Sequence, residues 1–237
     1  MLRLYHLLLI GGILVLTPLG IRYLAPQSHS STHPPGVSLS GNYWQTLLGK
    51  TSAPTNWQVS PCAGEAPLLC VSAAGKPVGT VEMAIHPLQK QESLRKALAT
   101  TGILKDGKLD TKHPEYNQQV SLALKNWANE NYTNLTQDRQ QEYQNQAQDR
   151  ILFSAYPPQN IAIGKSPGIR YGFVGLKSQG GIWEQHLSYA AINSNHVYVI
   201  TTAFAPTAVT GKFANFEDLA VFEPHLSAIA TNLKLEN

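Results

Sequence analysis

Apolar positions along this chain follow three different rhythms, and each predicts a different kind of element. Leu7 to Ile21 (LLLIGGILVLTPLGI) is an unbroken apolar run, and counting back to Leu4 gives eighteen residues without a formal charge. As a helix that stretch is roughly 27 Å long, close to the ~30 Å hydrocarbon core of a bilayer. It has no polar face, so it reads as a membrane anchor rather than a core helix. A cleaved signal peptide is the alternative. Arg22, Tyr23 and Leu24 occupy the place of a small-residue cleavage site, whereas Ser28 and Ser30 offer a small pair farther on. Residues 1–25 therefore predict export or anchoring, and 26–56, opening with PQSHSSTHPPGVSLSG, a Ser/Pro-rich tether with a short helix over Tyr43–Leu48.

The second rhythm is alternation. WQVS and LLCVS are short strands, and VGTVEMAIHPL places Val81, Met83 and Ile85 on one face and Glu82, Ala84 and His86 on the other. In the last third, ILFSAYPPQNIAIGKSPG is broken by Pro and Gly and predicts one short strand. GIRYGFVGL puts Ile169, Tyr171 and Phe173 on one side. IWEQHLSYAAI sets Trp183, Leu187, Tyr189 and Ala191 against Glu184, His186, Ser188 and Ala190. Asn193-Ser194-Asn195 is a hairpin turn, and HVYVITTAFA has the β-branched, aromatic character of a central strand.

The third rhythm is helical. QESLRKALATTG carries Leu94, Ala97 and Leu98 at helical spacing, stopped by Gly102. From Pro114 to about Gln148 a long helix, or two joined ones, aligns Val120, Leu124, Trp127 and Leu135, with Tyr132 beside them; its polar far end (QDRQQEYQNQAQDR) reads as solvated. Leu219, Phe222, Leu226, Ile229 and Leu233 recur at 3,4,3,4 spacing. Pro224 is acceptable in a first turn, so the prediction is a short turn at 215–221 and a closing helix at about 223–233. The pattern predicts one α+β domain over 57–237, an antiparallel meander with helices on one face and a helical insertion at about 88–150.

Charge and cysteine change this picture only in part. The formal charge is +3, but Arg3, Arg22 and Lys50 precede Glu65, and from there on 15 basic residues meet 15 acidic ones. A neutral domain has no basic face for nucleic acid. The two cysteines, Cys62 and Cys70, lie in PCAGEAPLLC and are natural disulfide partners in an oxidising compartment, with two free buried thiols as the alternative.

Candidate chemistry is thin. There is no H-E-x-x-H or P-loop. Glu184, His186 and Ser188 share one strand face, but same-face residues lie ~6.5–7 Å apart at Cα, so an exposed polar sheet face explains them as well as a relay does. His196 approaches His186 across the hairpin in this reading, without a third metal ligand. His29 and His33 belong to the tether, His86 to a strand rim, and the sequons at Asn131 and Asn134 fall on a helix rather than a surface loop. No catalytic, cofactor or metal residue is assigned. A cleft between sheet and inserted helices would be lined by Trp127, Trp183, Glu184, His186 and Tyr189.

The order SPGIRYGF, IWEQHLSYAAI, HVYVITTAFAP and FEDL…FEPHLSAIATNLKL, over about residues 160–235, is similar to the PsbP-like superfamily, the extrinsic proteins of photosystem II and their periplasmic relatives. The resemblance implies an α/β/α sandwich. It also implies a non-catalytic accessory or assembly role, at a photosynthetic or other membrane complex. The chain departs from the pattern in its amino-terminal helix, where cyanobacterial relatives often carry a lipid-modified Cys, and in its long insertion. The expected partner is the membrane, through residues 1–25, together with another membrane or extracytoplasmic protein. The domain would sit in the periplasm, thylakoid lumen or extracellular space. The alternatives are a periplasmic ligand-binding or envelope-assembly protein and an enzyme of unrecognised type.

Overall fold

Alternation at period two over 57–87 and 151–204 produces the strands of one large sheet. The computed structural model describes residues 55–62, 68–105, 107–144, 150–205, 208 and 211–235. The expected anchor at 1–25, the tether after it and the helix at 43–48 lie outside those residues. Among the described residues no helix is long and apolar enough to cross a membrane.

The strands are β1 (Trp57–Pro61), β2 (Leu68–Ala73), β3 (Lys76–Pro87), β4 (Leu104–Lys105), β5 (Lys108–Leu109), β6 (Ile151–Ile163), β7 (Ser166–Lys177), β8 (Ile182–Asn193), β9 (His196–Phe204) and β10 (Lys212–Phe213). The helices are α1 (Glu92–Thr100), α2 (Tyr116–Gln144) and α3 (Phe216–Thr231). Eight strands form one sheet in the order β1-β2-β3-β10-β9-β8-β7-β6, and β4 and β5 make a separate hairpin. All its pairings are antiparallel except the short β10–β9 contact, so this is an α+β fold. Cys62 and Cys70 are joined in a disulfide that closes the β1–β2 hairpin, with their Cα atoms 5.0 Å apart.

Two expectations about elements are corrected. The segment after Ile151 is a thirteen-residue strand, not a short one. Pro157 and Pro158 fit inside it because they stand together opposite Tyr171 in a bulge, where a missing N–H breaks no ladder bond. The closing helix starts at Phe216 and runs through Pro224 without the expected turn. An interior proline costs about 3 kcal/mol. Burial of Leu219, Phe222, Leu226 and Ile229, at about 1.5–3 kcal/mol each, outweighs it.

Helices cover both faces of the sheet rather than one. Neighbours on a strand point to opposite sides. On β7, Tyr171 meets the Trp127 and Tyr132 rings of α2, at centroid distances of 6.1 and 4.8 Å. The preceding Arg170 pairs instead with Glu223 of α3. This double covering explains why β8 is buried at every position from Glu184 to Ile192.

The amino-terminal half of α2 is held by apolar contact. Val120, Ala123, Leu124 and Trp127 are buried, as are Leu94 and Leu98 of α1. Its far half, expected to be solvated, is held by polar contact. Gln140 donates to the Ile151 carbonyl (2.9 Å) and accepts from the Phe153 N–H (3.1 Å), closing part of the free edge of β6 as another strand would.

Candidate functional site

Among the described residues, two places gather polar side chains, one on each face of the sheet. The first lies under α2. Glu184 and His186 are i,i+2 on β8 and share a face, and their side chains bend together until Nε2 and Oε2 are 2.9 Å apart. Spacing alone left that bond open. Glu184 is 1 % exposed and His186 5 %, so the expected exposed polar face is corrected: α2 lies over it. Arg139 of α2, itself buried, brings Nε to 3.9 Å from Glu184 and Nη1 to 3.6 Å from Glu142. The Phe173 ring stacks on His186 at 4.3 Å with the planes 12° apart.

Ser188 does not join this set as a relay member. Its hydroxyl is hydrogen-bonded to the Tyr132 hydroxyl of α2 at 2.9 Å. Burial pushes the Tyr132 phenol up to about 12, with the Ser188 bond pulling the other way. Burial also raises Tyr171 well above its ordinary value, and the neighbouring Tyr132 adds to the rise. Both phenols stay protonated and neutral at physiological pH. The arrangement ties a helix to a sheet; a reactive relay would need solvent or substrate at the imidazole, and α2 and Phe173 occupy that space.

The remaining expected cleft residues divide between the faces. Trp127 is buried against Tyr171. A bulge opposite Gly175 and Leu176 turns Trp183 toward α2, where its ring lies 5.9 Å from Tyr143 and the Lys177 amine sits 5.4 Å above it. Tyr143, Phe153 and Phe173 fill the ground between them as a chain of ring contacts. Tyr189 points to the opposite face, among Arg170 and Ser227, and burial raises its phenol. Trp127, Trp183, Glu184 and His186 thus share the α2 side, and Tyr189 does not join them.

The histidines also separate. His186 stands opposite Ala203, whereas His196 stands opposite Asn193 at the hairpin end. Those positions are seven steps apart along β9, roughly 23 Å of strand. Burial lowers the His86 imidazole from its ordinary value. Among the described residues, no group of three or more His, Cys, Asp or Glu side chains is placed to hold a metal ion.

The second place lies on the α3 side, and the sequence pattern did not single it out. Tyr156, Pro157, Gln159, Arg170, Gln185 and Glu223 line an open pocket of about 270 Å³. The β6 bulge forms one wall, Gln185 is buried beneath it, and the Arg170–Glu223 ion pair joins sheet to helix at its side. Gly172 makes room for Tyr156: a Cβ there would lie 3.2 Å from the Tyr156 ring and inside contact distance of the His186 carbonyl. The one signal available beforehand was Pro157-Pro158 in an otherwise strand-like stretch, which marks a bulge and so a redirected side chain.

Fold and site together describe an antiparallel sheet between helical layers, with one polar cluster sealed and one polar pocket open. No family model matches the chain, and no curated protein matches it. Among solved structures it is similar to the solution structure of cyanobacterial PsbP (CyanoP) from Synechocystis sp. PCC 6803, at 7 % identity and a TM-score of 0.38, covering 78 % of this chain and 84 % of that one. This is a weak structural resemblance to the PsbP-like fold.

Proposed function

We propose that this chain is a membrane-tethered accessory module whose domain works outside the cytosol by binding another protein rather than by catalysing a reaction. One observation carries the non-catalytic part of this reading. The cluster with the composition of a relay, Glu184, His186 and Ser188, is spent on holding α2 and is 5 % exposed or less at every member. The Cys62–Cys70 disulfide supports an oxidising compartment. The charge-free stretch from Leu4 to Ile21 supplies the membrane anchor, and the balance of charges after Glu65 speaks against a nucleic-acid partner.

The test is affinity purification of the tagged full chain, at native abundance, from detergent-solubilised membranes of its source cells. The expected result is recovery from the membrane fraction together with a second membrane or extracytoplasmic protein. Recovery of a lone monomer, or of the chain in the cytosolic fraction with both thiols free, overturns the reading.

A further inference from the structure

The pocket on the α3 side has an unusual balance of charge for its size. Arg170 and Glu223 give it one cation and one anion, already paired with each other, with side chains 30 % and 26 % exposed. Around them stand two carboxamides, Gln159 and Gln185, the Tyr156 phenol and the Pro157 ring. Its volume of about 270 Å³ falls just below the roughly 300 Å³ at which drug-sized sites begin, so the fitting ligand is small.

The ion pair decides which small ligand. A lone carboxylate taken by Arg170 would strand Glu223, and a lone ammonium taken by Glu223 would strand Arg170. Either exchange leaves a half-buried charge without its partner. A molecule that carries both charges replaces each partner one for one. Such a ligand leaves neither charge without a partner when the Arg170–Glu223 pair opens. We propose that this pocket binds a zwitterion of the α-amino-acid class, its carboxylate on Arg170 and its ammonium on Glu223.

The rest of the lining suits that ligand. Burial raises the Tyr156 phenol while Arg170 pulls it down, so the hydroxyl is protonated at neutral pH on the lining it shares with Arg170. It can donate to a carboxylate held there. The Tyr156 ring offers a face to an ammonium group, and Gln185 supplies both a donor and an acceptor from the buried floor. The site is on the face opposite α2 and is independent of the accessory role.

Saturation-transfer NMR on the full chain in detergent tests this, with a mixture of free L-amino acids, then acetate and butylammonium separately. The expected result is transfer to one or more amino acids, with acetate and butylammonium at least about tenfold weaker. Affinity should fall at least about tenfold in Arg170→Gln and in Glu223→Gln, and the charge-neutral double variant should abolish binding while keeping the fold. In the wild-type chain the bound molecule should show contacts to the Tyr156 ring. The proposal is overturned if no amino acid binds, if acetate competes as well as the zwitterion, if a folded variant binds unchanged, or if the bound molecule makes no contact with Tyr156.

Discussion

Gly172 sits at the centre of β7, where the two polar places lie back to back. Leu187 is its partner across the ladder, and the neighbouring His186 carbonyl closes on the space a side chain would need. Adding one methyl group there pushes against backbone, which yields less readily than a side chain. Gly172→Ala should destabilise the fold by about 1–3 kcal/mol in urea unfolding. It should also shift Tyr156 and thereby change the pocket more than the cluster under α2. A stability within about 0.5 kcal/mol of the parent would show that the strand relaxes around the added carbon. Nothing in the local alternation of GIRYGFVGL distinguishes Gly172 from Gly175 or Gly168. The close approach exists only once β6 and β8 lie on either side.

At the scale of elements, α2 is held in two ways along its length. Leu124 and Trp127 anchor one half by apolar burial, while Tyr132, Arg139 and Gln140 hold the other through hydrogen bonds and charge. Polar ties respond to pH. An unfolded chain releases a tyrosine proton near pH 10, whereas the buried Tyr132 keeps its proton up to about 12. Between those values the folded state binds more protons than the unfolded one, so stability falls as pH rises. Tyr171 acts in the same direction. The urea midpoint should hold steady up to about pH 9 and drop from about pH 10 upward, with a shallower drop in Tyr132→Phe. A profile unchanged by that substitution would mean that Tyr132 is not the responsible group. The helical period in this segment announced Val120, Leu124 and Trp127 correctly. It could not announce Arg139 or Gln140, because their partners, Glu184 and the β6 backbone, are distant in sequence or belong to the main chain.

At the scale of the whole molecule, the Cys62–Cys70 disulfide pins β1 to β2 at an edge of the sheet. It closes a short loop, with a sequence separation of 8, and in the chain-entropy model that is worth roughly 2–3 kcal/mol. Cys62→Ser together with Cys70→Ser should lower unfolding stability by about that amount, and added reductant should then have no further effect. Equal stability of parent and variant would show that the bond adds no net stability, because the unfolded chain without it keeps residual structure.

By itself the sequence determined the strand and helix types and the α+β class, because each depends on a local period; it favoured a pairing of its two cysteines over two free thiols, and the structure joins them. Its apolar amino-terminal run and neutral remainder likewise follow from composition alone. Only the tertiary structure decided that Glu184, His186 and Ser188 are covered, since exposure depends on which helix crosses which face. It also decided that β6 is one long strand, that α3 continues through Pro224, and that Arg170 meets Glu223 across 53 positions of chain. These outcomes share one physical reason. A local pattern states what a segment can form, whereas the energy that overrides a proline, buries a charge or opens a pocket comes from partners remote along the chain.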